Sequence, residues 1–279
     1  MRIEELLPED LREGIEGEIE IPEWAFMPDA WTWTFARGLK QAQLTTETVW
    51  EIGVGTGIVQ ILLRRWFPGA TRIFSDYDAR CTKLAMKNLT TSAPLEDFLK
   101  GRDFPLFGRW NLVKSGRNTP PKADIVIGCI PQVPCPKNVV LGEGDTLAHY
   151  YNAEEHPGHN HSLGLGLVED LLRQAQGVAL PKNGRVILNL GGRPGIKRLT
   201  NLFVVCGYEP RVIHKEIVRQ HAQTDLRPLA EMEMSGEHRF EFFLSPEGKG
   251  CIGAMEAAHR LSLRESVYHY IYVIEGRLA

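Results

Sequence analysis

Three features predict an α/β protein built on a mostly parallel sheet with an antiparallel C-terminal edge. Short apolar runs alternate with helix-period segments through the first two hundred residues. Glycines at alternate positions, Gly53, Gly55 and Gly57, join the first of those runs to a helix. Three late stretches, residues 209–217, 238–244 and 268–274, read as strands that pair antiparallel. The chain divides into an N-terminal helical and aromatic cap, residues 1–36, and one domain over 37–279, with no linker, repeat or low-complexity run between or within them.

In order, residues 1–24 place Ile3, Leu6, Leu7, Leu11 and Ile15 among acidic neighbours, as in one or two short surface helices. Residues 24–35 then hold three Trp and two Phe in twelve positions. Such a cluster caps a sheet, and its indole faces also suit a cation above a ligand cavity. The first strand ends at Glu51-Ile52, and the glycine turn that follows lets backbone take φ > 0 or approach a ligand closely. Glu51 at the strand tip would repel phosphate and suits a ligand carrying positive charge. A second strand, 70–75, ends at Asp76, about 20 residues past Gly57, the spacing at which a carboxylate in a βαβ unit accepts from a ribose diol. Residues 78–89 read as a helix. Residues 91–121 are loop-rich, with a third strand at 110–113. The fourth, 124–128, runs into Cys129-Ile130-Pro131-Gln132-Val133-Pro134, whose prolines force a rigid extended turn. That turn falls at the sheet edge where open α/β folds bind ligands. After an irregular, His-bearing stretch, 136–162, come a helix at 163–179, a fifth strand at 185–190 and a helix at 196–206.

At 279 residues with a net charge of −3, the chain is long enough for a sizeable core and offers no electrostatic case for nucleic acid or an anionic membrane. No apolar run approaches the roughly 18 residues of a membrane span. The acidic start lacks a signal-peptide apolar region, and the five cysteines are odd in number without a CxxC. These features point to a cytoplasmic protein with reduced thiols.

This order resembles class I S-adenosylmethionine (SAM) methyltransferases. Glu51-Ile-Gly-Val-Gly-Thr-Gly57 resembles their E/DxGxGxG signature, and Asp76 their ribose-binding acid. Gly128-Cys-Ile-Pro-Gln132 sits where many members carry Asn/Asp-Pro-Pro-Tyr. A nicotinamide-binding turn would read GxGxxG, which this does not. The resemblance implies a Rossmann-like class I fold and a SAM pocket formed by Glu51, Gly53, Gly55, Thr56, Gly57, Asp76, Tyr77, Cys129, Ile130 and Pro131. A narrower resemblance, to the methyltransferase portion of methionine S-methyltransferases, rests on Pro28-Asp-Ala-Trp-Thr-Trp-Thr-Phe35, Val126-Ile-Gly-Cys-Ile-Pro-Gln132, Gly164-Leu-Gly-Leu167, Asn189-Leu-Gly-Gly-Arg-Pro-Gly195 and His238-Arg-Phe-Glu-Phe-Phe243. It departs at residues 150–161, where those enzymes carry a Tyr-x-x-x-Gln-Gly segment, and at Ser115-Gly116, where many class I enzymes place an adenine-binding acid.

The implied reaction gives S-methylmethionine and S-adenosylhomocysteine. A thioether acceptor carries no proton, so alignment and exclusion of water suffice without a general base. Trp31, Trp33, Tyr150 and Tyr151 are candidates to face the positive charge. Trp31, Gln132, Arg193 and Arg239 are candidates for the acceptor, with either arginine on its carboxylate and Asp145, Glu154 or Glu155 on its ammonium. Cys129 and Cys135 read as packed thiols. His149, His156, His159 and His161 read as part of a solvated or lid-forming loop, and no metal is expected. The alternative on the same scaffold is cyclisation of SAM to azetidine-2-carboxylate with release of methylthioadenosine. The expected partner is a small amino acid, and homo-oligomerisation is compatible with an enzyme of this size.

Overall fold

A computed structural model describes residues 1–44, 47–92, 102–116, 119–142, 146–156, 163–222, 224–236 and 238–279, and the backbone alone at Val178. Five strands run parallel: β1 (Thr48–Ile52), β2 (Thr71–Ser75), β3 (Asp103–Pro105), β4 (Ile125–Gly128) and, after the short β5 (Val133–Pro134) and β6 (Tyr150–Tyr151), β7 (Arg185–Gly191). The last four are β8 (Tyr208–Arg219), β9 (Phe242–Phe243), β10 (Cys251–Ile252) and β11 (Tyr268–Leu278). The main sheet is ordered β10-β9-β11-β7-β4-β1-β2-β3, and β8 pairs with β11. β11 lies antiparallel to β7, β8 and β9, which is the antiparallel part read from the sequence. From β1 the chain builds outward through β2 and β3, then returns to place β4 on the other side of β1. The crevice at the C-terminal ends of β1 and β4 is therefore the switch point at which open sheets take ligands.

Alternation along these strands feeds two cores. Val49, Ile125, Ile127, Ile187 and Val273 face one side, with Phe35 and Leu39 of the helix Ala30–Gln41 and Ile61 and Leu62 of the helix Ile58–Trp66. Trp50, Val126, Val186, Leu188 and Ile274 face the other, against Leu171 and Leu172 of the helix Gly166–Gln174 and Leu199 and Phe203 of the helix Ile196–Val205. A third cluster joins the helices Arg227–Ser235 and Ala254–Ser262 to β9 and β10 through Leu229, Phe240, Phe242 and Ala257. No helix among the described residues is long and apolar enough to cross a membrane.

The first residues form two short surface helices, Ile3–Leu6 and Glu9–Leu11, and from this stretch Ile3, Leu7, Leu11 and Ile15 pack inward into the same cluster as Phe35 and Phe74. Two expectations are corrected. The third strand is not at 110–113 but at Asp103–Pro105, where Asp103 receives Arg72 Nε at 2.7 Å and pairs with Arg64. Residues 110–114 instead form a turn, with Leu112 at φ +59° and the Trp110 ring edge-on to Trp50 at 5.6 Å. Only Phe242–Phe243 of the 238–244 stretch joins the sheet. The Phe240 N–H donates to Glu233 and the Glu241 N–H to the Arg193 carbonyl, so the preceding residues bond elsewhere.

Candidate functional site

A cavity of about 240 Å³ opens at that crevice. Its walls come from the glycine turn, the tips of β2 and β4, the start of the helix Ala30–Gln41, residues 147–152, Glu155 and His156, and Gln220, His221 and Thr224. Gly53, Gly55 and Gly57 all have positive φ, +77°, +54° and +81°. A Cβ built on Gly55 would meet nothing within 4 Å, so that edge of the turn opens onto the cavity and leaves its backbone accessible to a ligand. Gly57 has a different reason. It is not on the cavity wall, and a Cβ there would lie 2.8 Å from Ala85 Cα, so this glycine lets the helices Ile58–Trp66 and Ala79–Thr91 pack closely.

Two carboxylates flank the turn. Asp76 Oδ2 accepts the Gly55 N–H and Oδ1 accepts the Asp78 N–H, both at 2.9 Å. Burial outweighs these bonds and pushes its pKa up to about 6. Glu51 is 2 % exposed, accepts Gln60 Nε2 at 2.7 Å, and is pushed up to about 8, again by burial first. Gln60 Oε1 is buried with no hydrogen-bond partner. In the ligand-free protein at neutral pH, Glu51 therefore holds a proton that a cationic ligand would expel. A raised carboxyl pKa weakens the fold as pH climbs from the ordinary value of 4.5 toward 8, because ionisation is then unfavourable only in the folded state. Glu51→Gln is thus expected to raise the melting temperature relative to wild type at pH 8.5 and to leave it nearly unchanged at pH 4.5. Equal shifts at both pH values in thermal melts would contradict the assignment.

The turn after β4 supplies Cys129, Ile130, Pro131 and Gln132 to the wall. Burial pushes the Cys129 thiol up to about 12, and Asn189 Nδ2 donates to its sulfur at 3.2 Å and to the Trp31 carbonyl at 3.0 Å. That one amide ties the start of the helix Ala30–Gln41 to β4 and β7. Gln132 also lines the cavity, but its Oε1 accepts the Gly191 N–H at 2.5 Å, so its amide braces β7. Arg193, just past β7, is 4 % exposed and lies 5.4 Å from the Trp31 ring. Burial lowers its pKa to about 10. Behind Trp31 sits His269, fully buried, with neither ring nitrogen hydrogen-bonded. Burial, then the nearby Arg193 charge, holds His269 neutral.

Tyr150 and Tyr151 line the cavity as well. The Tyr150 hydroxyl accepts the Asp225 N–H at 2.7 Å, whereas the Tyr151 hydroxyl is buried beside Gly166 and burial raises its pKa. Two expected residues are not there. Trp33 points into the core shared with Phe35 and Val49, because the helix turns it about 200° away from Trp31. Arg239 is exposed and absent from the wall, its chain held outward by the bonds flanking Phe240.

At the mouth, Tyr77 Oη donates to Glu155 at 3.2 Å, and Asn111 and Asn152 donate to the same carboxylate. The Arg109 guanidinium lies 3.9 Å from the Tyr77 ring centroid and 3.7 Å from Glu155. Glu154 is exposed and off the wall. Asp145, His159 and His161 lie outside the described residues, and His156 pairs with Asp170 at 2.8 Å. Among the described residues, no three His, Cys, Asp or Glu side chains are grouped to hold a metal ion.

Sequence reasoning passed over Asp29, Gln220, His221 and Thr224, all on the wall. Asp29 carries the signal of a helix cap, and Gln220, His221 and Thr224 carry no motif. They arrive because β8 delivers them beside the start of β11. The His149 and His221 rings lie with centroids 4.9 Å apart and planes tilted by 34°, and His149 Nδ1 lies 3.1 Å from Thr224 Oγ1.

No family model matches the chain. It is 30% identical to the methionine S-methyltransferase of Zea mays over 93% of its length, and 30% and 29% identical to those of Arabidopsis thaliana and Hordeum vulgare over 87% and 90%. In each case it spans about a quarter of the relative's length. A chain of the E. cuniculi Mtq2–Trm112 complex covers 92% of this chain and all of its own at 15% identity and a TM-score of 0.48, and adds nothing to a fold the strand order already defines. The chain has a Rossmann-like α/β fold and is similar over about nine-tenths of its length to one quarter of the methionine S-methyltransferases of Zea mays, Arabidopsis thaliana and Hordeum vulgare.

Proposed function

We propose that the chain transfers the methyl group of SAM to the thioether sulfur of methionine or a close amino-acid analogue. The observation that carries this reading is the 30% identity to a methionine S-methyltransferase across 93% of the chain. The cavity supports it: one wall has the open glycine turn with the carboxylates of Glu51 and Asp76, the other has aromatic rings and a buried guanidinium.

Asp76 would accept from the ribose hydroxyls, the Gly55 backbone would pass along the ligand, and Glu51, once ionised, would balance the methionyl ammonium. When bound, SAM supplies a methyl carbon already activated by its sulfonium. The acceptor sulfur's lone pair makes the new C–S bond, the old bond's pair stays with the departing sulfide, and total charge is unchanged with no proton moved. The chain's residues therefore align, exclude water and face positive charge. Trp31, Tyr150 and Tyr151 offer rings on the wall for that last task. Cys129, held as a neutral thiol, offers neither a base nor a nucleophile.

Release of S-adenosylhomocysteine should require a thioether acceptor and should proceed at a kcat nearly independent of pH between 7 and 9. A kcat rising tenfold per pH unit, or turnover only with amine or hydroxyl acceptors, would overturn the reading.

A further inference from the structure

The cavity holds two groups of opposite charge type on its acceptor side, neither of which is paired with a Lys, Arg, Asp or Glu side chain among the described residues. Arg193 is nine-tenths buried or more, yet no hydrogen bond or ion pair engages its guanidinium among the described residues. Leaving a guanidinium in that state is costly unless a ligand supplies the anion. Asp29 lines the same cavity. One of its oxygens accepts the Trp31 N–H at 2.9 Å in capping the helix Ala30–Gln41, and no Lys or Arg is paired with it among the described residues. The charged or titratable groups nearest to it, apart from Cys129, are His149 and His221.

Sheet order decides which ligand these charges face. The glycine turn and Asp76 belong to β1 and β2, while Arg193 follows β7, on the far side of β4. Asn189 of β7 holds the Trp31 carbonyl and Cys129, which sets the helix start that carries Asp29 over β4 and β7 as well. Trp31 sits next to both charges, bonded to Asp29 through its N–H and 5.4 Å from the Arg193 guanidinium through its ring. The SAM-type wall already has Glu51 as its own carboxylate.

We propose that Asp29 and Arg193 form a zwitterion clamp for the α-amino acid end of the methyl acceptor, with Asp29 on its ammonium, Arg193 on its carboxylate and Trp31 between them. This rests on the function proposed above and makes the acceptor a free α-amino acid with an apolar thioether arm. A methylthio carboxylic acid lacking the amine would engage only Arg193, and an amino-terminally blocked methionine would lose Asp29.

Titration of methionine into the enzyme saturated with S-adenosylhomocysteine reads the clamp without turnover. Asn caps helices about as well as Asp, so Asp29→Asn removes the charge and keeps the helix start. The clamp predicts at least tenfold weaker methionine binding for Asp29→Asn and for Arg193→Met, with S-adenosylhomocysteine affinity within twofold of wild type as the check on folding. It also predicts that 3-(methylthio)propionate binds wild type and Asp29→Asn equally. Unchanged methionine affinity in Asp29→Asn would overturn the clamp and leave the proposed function standing. Wild-type enzyme that fails to bind methionine at all would overturn both.

Discussion

Asp76→Ala is expected to weaken SAM binding at least tenfold in calorimetric titration. The substitution removes the acceptor proposed for the ribose hydroxyls, and hydrogen bonds to a charged group are worth about 1.5–3 kcal/mol each. It also frees the Gly55 N–H, which Asp76 holds at 2.9 Å, so the turn loses its brace. Asp76→Asn separates these effects, since its amide oxygen still accepts from Gly55 while the charge is gone. An intermediate affinity for Asp76→Asn is expected. Proton linkage adds a sign: with Asp76 near 6 and Glu51 near 8 in the free protein, a cationic ligand favours both ionised forms. Affinity should therefore rise as pH is taken from 5 to 8, with protons released on binding. Wild-type affinity in Asp76→Ala would remove this residue from the site.

Trp31→Ala and Trp33→Ala are expected to fail in different ways, although the two residues stand two positions apart. Trp33 fills the core beside Phe35, Ala36 and Val49, so its loss should cost about 3–5 kcal/mol of stability while the remaining folded enzyme keeps its kcat. Trp31 is partly exposed on the cavity wall. Its loss removes a ring that faces cationic charge, worth about 0.5–2 kcal/mol, or roughly two- to thirtyfold in rate. Denaturant unfolding and steady-state kinetics on both variants would show the contrast, and a catalytic defect confined to Trp33→Ala would reverse the assignment.

The pair illustrates what the sequence could express. The strands β1, β2, β4 and β7 were legible because they are buried on both faces and read as short apolar runs ending in chemistry: Glu51, Asp76, Cys129 and Arg193. β3 was not, because Asp103-Phe-Pro reads as loop until Arg64 and Arg72 fold onto it. The aromatic cluster suited both a sheet cap and a cation above a cavity, but only helical phase, fixed by the Asp29 cap, decides that Trp31 meets the cavity and Trp33 the core. The three glycines looked equivalent in sequence. Gly57 is required by Ala85, a partner 28 positions away that no local pattern reveals. Asp29 was hidden by its own cap role, since nothing in Pro28-Asp29-Ala30 shows that Asn189 will hold that helix start over β4 and β7.

The central claim is that a thioether sulfur receives the methyl group in this cavity. Incubation with SAM carrying a 13C methyl group and unlabelled methionine, followed by mass analysis of both products, tests it. The account predicts S-methylmethionine with one labelled methyl group and an equal amount of S-adenosylhomocysteine, neither of which forms without methionine. Methylthioadenosine bearing the label, together with azetidine-2-carboxylate and independent of added methionine, would contradict it.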